Sequence, residues 1–233
     1  MPLSPLPTIS ESTDTSPLPN GFVGRALACR RGERLVFRDL DFALQPSDAL
    51  ILAGPNGSGK SSLLRVMAGL TPLAAGQLFW DRADLADDPA AHRARLHFVG
   101  HADALKPVLT ATEMLRFWAG LRGNGTDIAG ALARFGLAGA AELPCRYLSA
   151  GQKRRLALAR LVASSAPLWL LDEPGNGLDS EALTQLLDAI AAHRQSGGMV
   201  VLSTHTPLAV EGAASLSMTD FRPRRGDSED AAA

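Results

Sequence analysis

Gly54-Pro55-Asn56-Gly57-Ser58-Gly59-Lys60-Ser61 fits the pattern G-x-x-x-x-G-K-[S/T] at every position. The apolar run Ala49–Ala53 precedes it, and Ser61–Gly69 follows with Leu63, Leu64, Met67 and Ala68 at helical spacing. A buried strand, a glycine-rich turn and a helix in that order form a phosphate cradle. The glycines let the backbone curl so that successive N–H groups point inward, and the helix beginning near Lys60 adds its positive end. In such a cradle Lys60 reaches the β- and γ-phosphates, and the Ser61 hydroxyl ligates Mg²⁺. Gly54, Pro55, Asn56, Gly57, Ser58, Gly59, Lys60, Ser61 and Ser62 are therefore the candidate ATP-binding residues. The chain has three lysines, Lys60, Lys106 and Lys153, so one at this position is not incidental.

Downstream, Leu168-Trp169-Leu170-Leu171-Asp172-Glu173 reads as a buried strand ending in two acids. Acids there serve no folding purpose, because burying them costs desolvation unless they are paired. Asp172 is placed to hold Mg²⁺ through its water shell, and Glu173 to polarise an attacking water. His205 follows the strand Met199–Ser203, at the strand end where an open α/β sheet places its ligand.

Further strands are expected at Leu35–Phe42, Gly76–Trp80 and Leu96–Val99. From Thr110 to Ala166 the pattern turns helical. Thr112 is expected to cap a helix that Gly123–Gly125 ends, with Ile128–Phe135 and Ser149–Ser165 as the next two. A last helix falls near Glu181–His193. Buried strands alternating with helices indicate an α/β fold with a mainly parallel sheet. The expected organisation is a tail at 1–20, one domain at 21–222 and a second tail at 223–233. Within the domain, 101–165 is a helical insertion between core segments 21–100 and 166–222. The first tail is rich in Pro, Ser and Thr, which disfavours a packed core.

At 233 residues and 46% hydrophobic the chain can build one sizeable core, and a net charge of −1 argues against a nucleic-acid partner. Cys29 and Cys145 are far apart and form no CxxC pair, which disfavours a disulfide framework or a zinc site. No apolar run reaches transmembrane length and the start lacks signal-peptide character, so membrane attachment is expected through a partner.

Leu148-Ser149-Ala150-Gly151-Gln152 with Lys153-Arg154-Arg155 resembles the LSGGQ signature of ABC-type ATPases. The order of motifs fits that family too: phosphate loop, signature, acid-ended strand, Gly177-Leu178-Asp179 at the D-loop position, and His205 at the switch histidine. The resemblance covers about residues 22 to 220 and implies an ABC-type P-loop core with an N-terminal antiparallel β part. It implies that two copies pack head to tail around two ATP molecules. Ser149, Ala150, Gly151 and Gln152 of one copy then complete the phosphate site of the other.

Leu27–Arg34, Phe98-Val99-Gly100-His101, Leu105-Lys106-Pro107 and Ser203-Thr204-His205 resemble the haem-exporter branch that serves cytochrome c maturation. That likeness implies a peripheral subunit on the cytoplasmic face of the inner membrane. Its implied partners are an integral membrane permease and associated maturation proteins. Alternatives are an exporter for another substrate, a soluble ABC ATPase acting on ribosomes or DNA, and a P-loop enzyme outside the family. Three departures stand out. His101 replaces the Q-loop glutamine and is a poorer donor to a hard cation. Ala150 replaces a glycine of the signature. No aromatic is evident to stack the adenine, for which an arginine within Cys29–Arg34 is the candidate.

Overall fold

The computed structural model describes residues 20–123, 127–206 and 208–223. The expected tails, apart from Asn20 and Pro223, and Gly125 of the expected helix stop lie outside these residues.

The elements in chain order are β1 (Phe22–Arg31), β2 (Arg34–Leu44), β3 (Ala49–Ala53), α1 (Lys60–Met67), β4 (Ala75–Trp80), β5 (Ala83–Asp84), α2 (Pro89–Ala94) and β6 (Leu96–Val99). The chain continues with α3 (Ala111–Gly120), α4 (Ile128–Arg134), α5 (Ala150–Ala163), β7 (Leu168–Asp172), α6 (Ser180–Gln195), β8 (Met199–Ser203) and β9 (Ala214–Ser217). A parallel sheet runs β6-β7-β8-β3-β9, and an antiparallel sheet runs β2-β1-β4-β5. Between β6 and β7 the regular elements are all helical.

The central strands β7 and β8 are buried along their whole length. Successive side chains on a strand point to opposite faces. Trp169, Leu171, Val200 and Leu202 accordingly pack with Leu156 of α5 and Leu186 of α6. Leu168, Leu170, Met199 and Val201 pack with Leu63 and Met67 of α1 and with Phe22, Phe37 and Leu40 of the antiparallel sheet. Two apolar layers thus clamp the parallel sheet, which explains why its strands read as continuous apolar runs.

The structure corrects one expected cap. Thr110, not Thr112, caps α3: its hydroxyl accepts from Glu113 N, and the Glu113 carboxylate accepts from Thr110 N at 2.8 Å. Thr112 is buried instead, its hydroxyl donating to Ala141 O and to Glu142. β1, β5, α2 and β9 were not expected as separate elements. β1 and β2 carry bulges, with Ala26 and Asp39 at positive φ, which breaks the period-2 pattern. β9 is Ala-Ser-Leu-Ser, too polar to read as a buried strand.

Candidate active site

The glycine-rich loop joins β3 to α1, and its glycines are required by geometry. Gly54, Gly57 and Gly59 have φ of 138°, 76° and 105°. A Cβ at Gly59 would lie 2.9 Å from Val36 Cγ1, so the loop is pressed against β2. Lys60 is 6% exposed, and its Nζ donates to Gly54 O at 2.7 Å and to Pro55 O at 3.3 Å.

β7 and β8 bring the acids under this loop. Ser61 Oγ donates to Asp172 Oδ1 at 3.0 Å, across 111 residues of sequence. Ser203 Oγ donates to the same oxygen at 2.7 Å and accepts from Glu173 N at 3.0 Å. Glu173 lies next along, with φ of 50°, its Oε1 3.9 Å from Lys60 Nζ. Its Oε2 is 2.6 Å from His205 Nδ1 and 3.3 Å from His205 N. Four side chains from two distant segments, Lys60 and Ser61 at the start of α1 and Ser203 and His205 at the end of β8, thus converge on one carboxylate pair.

An open cleft of about 520 Å³ reaches Lys60, Ser61, Glu173 and His205, whereas the buried Asp172 and Ser203 are not among its lining residues. Asn56 to Ser62, His101, Glu173, Asn176 and His205 line it, with Arg31, Arg34 and Val36 at the hairpin of β1 and β2. The residues fit a nucleotide with a divalent cation. Ser61 and Asp172 present two hard oxygen donors side by side, which suits Mg²⁺ with phosphate and water completing its shell. Ser58 Oγ is buried in the cradle without a hydrogen-bond partner.

Residues 37–176 match the family model described as ABC transporter. The chain belongs to the ABC transporter family. It is a nucleotide-binding ATPase subunit of that type, as the motif order implied. Among its relatives is the cytochrome c biogenesis ATP-binding export protein CcmA of Paramagnetospirillum magneticum, 54% identical over 86% of this chain and 94% of that relative. The same-named protein of Rhodospirillum rubrum is 54% identical over 87% of each chain. A solved ATP-binding subunit of an ABC transporter shares the fold, with a TM-score of 0.79 at 24% identity over 87% of this chain and 86% of that one. A dimeric ATP-binding cassette bound to ADP and Pi has a TM-score of 0.71 at 24% identity over 79% of this chain and 88% of that one.

Within this ABC subunit the expected signature stands apart from the cleft. Ser149 caps α5, accepting from Gln152 N while Gln152 Oε1 accepts from Ser149 N at 2.8 Å. Ala150 is not among the residues at positive φ, so the glycine it replaces was not needed for backbone freedom. Asp179 caps α6, accepting from Ala182 N at 2.8 Å, and is likewise absent from the cleft lining. The starts of the two motifs are neighbours: a Cβ on Gly151 would meet Gly177 O at 3.6 Å. Sequence reasoning missed Ser203, Arg154 and Asn176. Ser203 reads as the end of an apolar strand, and Arg154 only as part of Lys153-Arg154-Arg155 beside the signature. Asn176 stood in an unassigned turn.

Proposed function

We propose that this chain is the ATP-hydrolysing subunit of an ABC exporter that serves cytochrome c biogenesis, where it powers haem export or the release of a haem-loaded chaperone. Glu173 carries the catalytic part of this reading. It is a carboxylate held between Lys60 and His205 at the foot of a phosphate cradle. The biological part is supported by the two relatives that share 54% identity over most of both chains.

In this reading the loop N–H groups and Lys60 hold the β- and γ-phosphates of ATP. Glu173 accepts the proton of a water that attacks the γ-phosphorus while the bond to the β–γ bridging oxygen breaks, releasing ADP and phosphate; such proton acceptance is worth about 10²- to 10⁴-fold in rate. His205 fixes the Glu173 carboxylate through Nδ1 and borders the same reacting space. Ser61 and Asp172 are the residues that would hold Mg²⁺, which when bound neutralises charge on the phosphates. His101 lines the cleft at the Q-loop position and serves there as a hinge toward the membrane partner. Arg31, Arg34 and Val36 form the side on which the adenine rests, without an aromatic stack.

The site closes when a second copy brings Ser149 and Gly151 to the γ-phosphate, again using a helix N-terminus as an anion site. Asp179 stands at the turn between the two sites. Among the described residues no helix is long and apolar enough to cross a membrane. Attachment to the cytoplasmic face of the inner membrane then runs through an integral permease subunit. Deleting the gene and staining for c-type cytochromes tests the biological role: loss of the haem-stained bands is expected, and normal bands overturn it.

A further inference from the structure

Arg154 is 6% exposed, one turn into α5. Its Nη1 donates to Gly100 O at 3.0 Å and to Asp103 Oδ1 at 3.3 Å. Its Nη2 donates to Asp172 O at 3.1 Å and to Glu173 O at 2.7 Å. One guanidinium therefore ties three segments together. They are the helix that carries Ser149–Gln152, the loop 100–103 that puts His101 on the cleft, and the end of β7 that carries both acids.

The chemistry of the contact requires arginine. A planar fork can serve two pairs of acceptors at fixed angles, whereas an ammonium is a point charge on a flexible stem. What it grips matters equally. Glu173 sits at φ of 50°, a region that a residue bearing a Cβ avoids unless its surroundings impose it. Two bonds bracket that residue: Ser203 Oγ accepts from its N–H, and Arg154 Nη2 donates to its carbonyl oxygen. With both peptide planes pinned, the carboxylate is aimed between Lys60 and His205.

We propose that Arg154 is a positioning residue for hydrolysis, which holds Glu173 in its left-handed conformation and transmits displacement of the loop 100–103 to that carboxylate. The proposal rests on Glu173 being the general base. The Asp103 carboxylate is the handle on the loop side, partly exposed at 26% and paired with the buried guanidinium. A movement of the loop that pulls Asp103 and Gly100 shifts the guanidinium, and with it the carbonyls of Asp172 and Glu173. Such a small displacement suffices, since misplacing a catalytic group by about 1 Å costs about 10²-fold in rate.

The test uses the full chain, reading kcat, KM, nucleotide affinity with a fluorescent ATP analogue, and Tm. Arg154→Lys is expected to lower kcat about 10- to 100-fold with nucleotide affinity within about twofold of the parent. Asp103→Asn is expected to lower kcat about three- to tenfold, and the double variant to be no slower than Arg154→Lys, because both act through one link. Parental kcat in Arg154→Lys overturns the proposal. So does a fall in nucleotide affinity and Tm in step with kcat, the mark of a mere structural staple. Should Arg154→Lys not fold, Asp103→Asn decides, and an unaltered kcat there overturns the proposal. Glu173→Gln separates the two readings. If it retains activity, the general-base assignment fails. If it is inactive while the Arg154 and Asp103 variants keep parental kcat, the positioning role alone fails.

Discussion

Glu173 meets three demands that conflict in an ordinary residue: it is mostly buried, acidic, and in a left-handed backbone conformation. Each demand has a local answer, in Lys60, in His205, and in the bonds from Ser203 and Arg154. Under the proposed general-base role, Glu173→Gln keeps the shape and removes the proton acceptor. Its kcat should fall about 10²- to 10⁴-fold while nucleotide binding persists, as a single-turnover assay beside an equilibrium binding measurement will show. Ser203→Ala acts on the support instead. It removes the donor to Asp172 and the acceptor of Glu173 N in a fully buried place, so unfolding in urea should show a loss of about 1–3 kcal/mol. The convergence of the acids, the lysine and the histidine was legible in sequence, the acids and the histidine from their places after strands and the lysine from the loop motif. Ser203 and Arg154 were not, because a serine closing an apolar strand and an arginine in a basic run have no distinguishing spacing. Only the crossing of segments 18 to 54 residues away gives them a role.

Helix ends and buried histidines decide stability at the scale of elements. α3 and α5 both begin with reciprocal capping boxes, Thr110 with Glu113 and Ser149 with Gln152. The T-x-x-E spacing of the first was present in the sequence and identifies Thr110 as the better cap, which the expectation of Thr112 overlooked. Asp88-Pro89, an N-cap with proline in the first turn, was an equally readable start for α2. Between β6 and α5, His97 Nε2 bonds Ser164 O at 2.9 Å, and burial, reinforced by the Arg122 charge, pushes its pKa down to about 3 from 6.5. His92 and His193 are lowered too, chiefly by burial. The folded state thus keeps these rings neutral while the unfolded chain takes up protons below pH 6.5. Stability is therefore full above that pH and falls as pH is lowered toward 3. Thermal melts should show Tm declining already between pH 6.5 and about 4.5, before most carboxylates titrate. His97→Gln, which keeps an N–H donor but cannot take up the proton, should flatten that slope.

The whole molecule explains why the fold was more legible than the site. The central strands β7 and β8 are buried on both faces and β3 nearly so, and all three announce themselves as apolar runs; β2 and β4 of the antiparallel sheet were legible too, whereas the bulged β1, the two-residue β5 and the polar edge strand β9 were not. The site, in contrast, is spread over two layers, and one part of the motif set faces away from the cleft. Ser149–Gln152 and Asp179 cap helices and contribute nothing to the cleft lining of their own chain. Within one copy, their chemistry is unspent. That arrangement makes a two-fold dimer testable through complementation, because in such a dimer each site takes its loop from one copy and its signature from the other. Lys60→Ala alone disables every loop, and Ser149→Arg alone places a bulky cation in every signature, so each variant dimer should be inactive. In an equal mixture about half the dimers are mixed, and each of these has one intact site out of two, so about a quarter of parental activity should return. Rescue that grows with the mixed fraction, read as phosphate release against a titration of one variant into the other, supports a site shared across copies. Activity that stays at the level of the separate variants would show that loop and signature act within a single chain.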